Sequence, residues 1–198
     1  MNSKNKNYKY SYMVEVECEK KFLFKLKTEI IENRKISLCK ECNNEFSNIC
    51  NGTISDKKII NFKNSKCPCK KIVIMDQDKI PDKKIKEYKK FSNNNLLIII
   101  SIPNIEIVLL SIFENIATKL DKRRVEEKLN KHLKDKSKNF DYEHSPDSIN
   151  KILDYLIENK YDCFKTWKEN LNKLNELELS NFIELINFLE QTKESNNK

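Results

Sequence analysis

Two groups of residues in this chain have the types and spacing that chemistry needs. The first lies in residues 71–81, KIVIMDQDKIP, where four apolar residues run straight into Asp76 and Asp78. Residues 72–75 have the length and β-branched content of a buried strand, so both aspartates fall at its C-terminal end. In an extended chain residues i and i+2 point the same way, and two neighbouring carboxylates are costly unless a cation lies between them. Hard divalent ions such as Mg²⁺ or Mn²⁺ take carboxylate oxygens and keep positions open for a phosphate. The pair therefore reads as half of a metal site, although an ordinary polar turn closed by Pro81 accounts for the same residues.

The second group is sulfur. Five of the seven cysteines fall between Cys39 and Cys69. Cys39-Lys-Glu-Cys42 is a knuckle that lets two thiolates reach one ion from a tight turn, and Cys67-Pro-Cys69 supplies a second close pair. Together they predict a tetrahedral four-cysteine zinc site, structural in role because its closed shell leaves no position for a substrate. Cys50 is left as a spare or substitute ligand, and scattered buried thiols are the alternative to the whole assignment. Cys18 and Cys163 lie outside the cluster and read as core residues.

The elements that must position these groups follow from periodicity. Residues 12–17, YMVEVE, alternate apolar and acidic as a strand does, with Glu17 at the C-terminal end, and residues 20–31 continue at helical spacing. Strand, tight connection and helix open an α/β unit. Residues 36–70 break the pattern as a cysteine-rich insert. After the 72–75 strand, residues 79–91 read as a helix whose Lys79, Lys83 and Lys84 either meet phosphates or form a solvated face. Residues 96–100 are a second strand of the kind buried on both sides in a parallel sheet. A buried helix begins near Ile105 with Glu106 in its first turn, where a carboxylate complements the dipole or points into the crevice above the strand ends. From residue 116 onward everything is helical. Lys119, Lys122, Arg123 and Arg124 form the best basic patch for a nucleic acid backbone, with a solvated amphipathic helix as the other account. Ser145-Pro146-Asp147 marks a helix start. Trp167 and the later phenylalanines read as core, and neither His132 nor His144 has a neighbouring motif.

Composition narrows the classes. Lys and Arg outnumber Asp and Glu by 38 to 30, a net charge of +8 that favours a polyanionic partner without specifying one. Gly52 is the single glycine, so no glycine-rich phosphate loop of the P-loop or Rossmann kind can be built. The first twelve residues are polar and lack the apolar segment of a secretory signal, and the apolar run at 96–100 is too short to span a bilayer. This predicts an intracellular, cytoplasmic protein without a membrane partner, whose cysteines are thiols or metal ligands.

The order of the pieces resembles Toprim-like nucleases. Residues 14–26, VEVECEKKFLFKL, are similar to their opening strand and helix, with Cys18 where these families usually carry glycine. Residues 72–78 look like their DxD strand. Residues 101–113, SIPNIEIVLLSIF, resemble the serine-proline-acidic-aliphatic segment of the RloB branch, associated with bacterial defence and mobile elements. The resemblance implies a Toprim-like parallel-sheet domain over 12–115, carrying the zinc-binding insert at 36–70 and followed by a helical region over 116–192. It also implies metal-binding roles for Glu17, Asp76 and Asp78 with Glu106 as an accessory acid. The function it implies is Mg²⁺- or Mn²⁺-dependent cleavage of RNA or DNA in defence against phage. The rival expectation is an inactive Toprim-like scaffold, stabilised by zinc, that binds nucleic acid or a protein of a defence system.

Overall fold

The computed structural model describes residues 8–33, 36–39, 42, 49–50, 53–76, 81–93, 95–136 and 142–194. Four strands, β1 (Tyr8–Val14), β2 (Ile36–Leu38), β3 (Lys70–Asp76) and β4 (Leu96–Ser101), form one parallel sheet in the order β2-β1-β3-β4. β4 is buried along its whole length and β3 from Lys71 onward. Such continuous runs, rich in Ile and Val, suit a sheet covered on both faces.

Each strand is followed by a helix, as parallel connections require. α1 (Glu17–Lys25) runs directly into a π-helical turn at Leu26–Ile30 and buries Phe22, Leu23 and Leu26. The helix begins three residues before the expected position 20. The reason is local: the Glu19 carboxylate accepts the Val16 backbone N–H at 3.0 Å, an exchange that ends β1 at Val14 and opens the helix.

Residues 36–70 contribute more than a loop. Ile36–Leu38 pair in register with Tyr8–Tyr10 as edge strand β2, and α2 (Asp56–Asn64) packs Ile59 and Phe62 into the core. Lys71, itself buried, donates to the carbonyls of Lys63 and Ser65 at 2.9 Å and so closes the C-terminal end of α2. α3 (Asp82–Phe91) lies beside α2, joined to it by Lys84 on Asp56 at 2.7 Å and by the Tyr88 hydroxyl on the same carboxylate.

α4 (Glu106–Leu110) is wholly buried. α5 (Lys122–Lys136) starts later than expected, because residues 111–121 run as turns that bury Ile112 and Ile116. α6 (Pro146–Glu158) is capped by the Ser145 hydroxyl, which accepts the Ser148 N–H at 3.2 Å, with Pro146 in its first turn. α7 (Lys160–Glu176) and α8 (Phe182–Glu194) complete the described helices, none long and apolar enough to cross a membrane. Trp167 is fully buried as expected, its indole N–H donating to the Ser111 hydroxyl at 3.0 Å. At the β4 edge the Asn181 side chain takes the place of a further strand. Its amide donates to Ile98 O and its carbonyl accepts from Ile100 N, both at 2.8 Å. One apolar core runs from Tyr10 to Leu189.

Candidate functional site

The connection from β1 leads outward to β2, whereas the connection from β3 leads the other way to β4. The C-terminal ends of β1 and β3 therefore flank the crevice where open α/β sheets bind ligands. Val14 pairs with Ile74, which sets Glu15 beside the end of β3, and Asp76 is the last residue of that strand. Glu15 Oε2 accepts the backbone N–H of Asp76 at 3.4 Å, and both residues are buried. Two carboxylates from adjacent strands thus meet at one point of the sheet edge.

The acidic partner of Asp76 is accordingly Glu15, where periodicity pointed to Glu17. Glu15, Glu17 and Glu19 alternate, so a strand extended to residue 17 assigns the wrong member. Once β1 stops at Val14, Glu17 becomes the first residue of α1, 42% exposed and ion-paired with Lys20 at 2.9 Å. Asp78 lies outside the described residues. Cys18 sits within α1, so its position makes no demand for glycine; among the described residues other than glycine only Glu32 and Glu178 have positive φ.

Glu106 does enter the crevice. It is fully buried at the start of α4, and its Oε1 accepts from the Tyr142 hydroxyl at 2.7 Å and from His144 Nδ1. Burial alone pushes its carboxyl up, but the His144 and Tyr142 hydrogen bonds hold it below the usual range. Its Oε2, like both side-chain amide atoms of buried Asn104, has no hydrogen-bond partner among the described residues. His144 is also hydrogen-bonded to Cys18 in the first turn of α1. That bond, followed by the Glu106 carboxylate, raises the imidazole to about 11. Tyr142 is pushed up by burial and then by the Glu106 charge. Glu19 stands in the same neighbourhood: burial lifts it to about 7, with a further push from Glu15 and a counter-pull from His144.

His144 is the residue that sequence reasoning passed over. The available signal was slight: it stands two residues after Tyr142 and just before the Ser145 cap, so both side chains reach one carboxylate from a short extended segment.

The cysteine cluster forms as expected. Cys39 continues the β2–β1 pairing by donating to Tyr10 O at 2.7 Å, and Cys69 directly precedes β3. The sulfurs of Cys39, Cys42, Cys67 and Cys69 all lie within 4.8 Å of one another, with Cys39–Cys67 at 2.9 Å and Cys42–Cys69 at 3.3 Å. Four thiols so placed can hold a structural metal such as zinc, whose charge lets the thiolates coexist. The six steps of β3 between Cys69 and Asp76 put the two sites roughly 20 Å apart, so the sulfur site shapes the sheet without reaching the carboxylates. Cys50 is no substitute ligand. Its N–H donates to Val14 O at 2.9 Å, beside Glu15 and Lys58 at the other end of β1. Cys163 packs half-buried against the core.

The basic residues are divided. Lys84 is engaged with Asp56, whereas Lys83 is exposed on α3. Lys79 lies outside the described residues. Lys119 and Lys122 are exposed, and Arg123 and Arg124, also exposed, have only neighbours of their own segment, Glu127 at 2.8 Å and Asp121 at 3.7 Å. No protein-family model, curated protein or solved structure matches the chain.

Proposed function

We propose that the chain is a divalent-cation-dependent phosphodiesterase of Toprim-like type that cleaves RNA or DNA, with Glu15 and Asp76 as the carboxylates that hold Mg²⁺ or Mn²⁺. The observation that supports this most is the meeting of Glu15 with the end of β3, at the point where the sheet connections diverge. Buried like charges at one place favour a cation between them, and carboxylate oxygens are the donors that hard ions select. When bound, the ion supplies electrostatic stabilisation of the phosphoryl group. The protein's own part is to exclude water through the buried sheet edge and to fix Glu106 through Tyr142 and His144. Lys119, Lys122, Arg123 and Arg124 would position backbone phosphates without reading bases. A place in bacterial or phage defence and a cytoplasmic setting belong to the same reading, through the resemblance to the RloB branch.

The test is cleavage of single- and double-stranded DNA and of RNA with Mg²⁺ or Mn²⁺. Glu15→Gln and Asp76→Asn are expected to lower the rate by at least about a hundredfold, while Glu17→Gln stays within about threefold of wild type. Activity that survives Glu15→Gln and Asp76→Asn sinks the assignment. Nucleic acid binding without cleavage, indifferent to divalent ions, would replace it with the binding-protein reading.

A further inference from the structure

A cleft lined by Glu15, Glu19, Asp76 and Glu106 repels a phosphodiester unless a positive group faces it. Of the lysines on α1, Lys20 is held by Glu17 and Lys25 by Asp154 at 2.5 Å. His144 is placed differently. One ring nitrogen is fixed on Glu106, which is fully buried, yet the His144 side chain remains 38% exposed, so the ion pair has a protein side and a solvent side. The hydrogen bond to Cys18 locks the ring against the first turn of α1, the turn that follows Glu15. Near this pair in the chain, Asn104 offers a buried amide with no hydrogen-bond partner among the described residues, a kind of group that folded proteins rarely leave without a ligand or water.

We propose that His144, locked by Glu106 and Cys18, binds a non-bridging phosphate oxygen of the substrate, with Asn104 as a second donor. This rests on the phosphodiesterase reading for its substrate but not for its geometry. His144 is then a binding residue that offsets the acidic cleft, and its charge matters more than its ring.

The experiment measures binding of thymidine 3′,5′-bisphosphate by calorimetry with Ca²⁺ in place of Mg²⁺. It compares wild type, His144→Gln and His144→Lys, alongside Mn²⁺ affinity and thermal unfolding of each. Gln keeps a donor toward Glu106 without the charge, which guards against the folding defect that alanine would bring by stranding a buried carboxylate. Loss of a charge-assisted contact is expected to weaken bisphosphate binding at least about tenfold in His144→Gln, whereas His144→Lys stays within about threefold of wild type. Mn²⁺ affinity is expected to be the same in all three. No bisphosphate binding by wild type, equal binding by His144→Gln, or a lysine variant as weak as the glutamine one overturns the proposal. If Mn²⁺ does not bind but the bisphosphate pattern holds, the carboxylate assignment fails while His144 keeps its role.

Discussion

Stripping the metal from the four-cysteine cluster should lower thermal stability by an amount the topology sets. The cluster joins the end of β2 to the start of β3 across sequence separations of 28 (Cys39 to Cys67) and 27 (Cys42 to Cys69). Treating the ion as a cross-link that closes a loop of this length, chain entropy alone gives about 3.5 kcal/mol. For a chain of this size each kcal/mol moves the unfolding midpoint by about 2–4 °C, so the loss corresponds to about 7–14 °C. Replacing one ligand in Cys69→Ser should approach the same value, because three thiolates hold zinc weakly and the fourth position lies in buried surroundings. The assay is zinc content by mass spectrometry together with thermal unfolding of reduced protein, before and after chelation, for wild type and Cys69→Ser. Zinc-free protein as purified, together with a Cys69→Ser midpoint within about 2 °C of wild type, would falsify the cross-link argument.

Two further expectations concern stability. Burial lifts Glu19 to about 7 from an ordinary 4.5, so between those values the folded protein retains a proton that the unfolded chain has lost, and stability falls as pH rises across that window. Glu19→Gln keeps an acceptor for the Val16 N–H and should be more stable than wild type by roughly 2–4 kcal/mol at pH 8, the gain shrinking toward pH 5. Urea unfolding at both pH values checks it, and a variant less stable than wild type at pH 8 refutes it. Asn181→Ala removes both hydrogen bonds that close the β4 edge and strands a buried N–H and C=O, at a cost of roughly 2–4 kcal/mol. A loss below about 1 kcal/mol in urea unfolding would show that water replaces the side chain there.

Local chemistry made several features legible. The apolar runs at 72–75 and 96–100 could only be buried strands, and Ser145-Pro146 could only open a helix, because burial and capping are decided by a few adjacent residues. The four cysteines were readable for the same reason: a CxxC turn brings two sulfurs together whatever surrounds it. Less was visible where three glutamates alternate. Their spacing cannot say which one follows the last paired residue, since that depends on where β3 stops supporting β1. Edge strand β2 was hidden too, being three residues long and dependent on β1 for its hydrogen bonds.

The sequence by itself determined that this is an α/β chain with two aspartates after a buried strand and a cysteine group that can close on a metal. Tertiary structure alone decided that Glu15, and not Glu17, meets Asp76, that Cys50 stands apart from the other thiols, and that Glu106 finds Tyr142 and His144. The reason is sequence distance. Glu106 and His144 are 38 residues apart and Glu15 and Asp76 are 61 apart, so only the packing of the sheet and its covering helices brings them into contact.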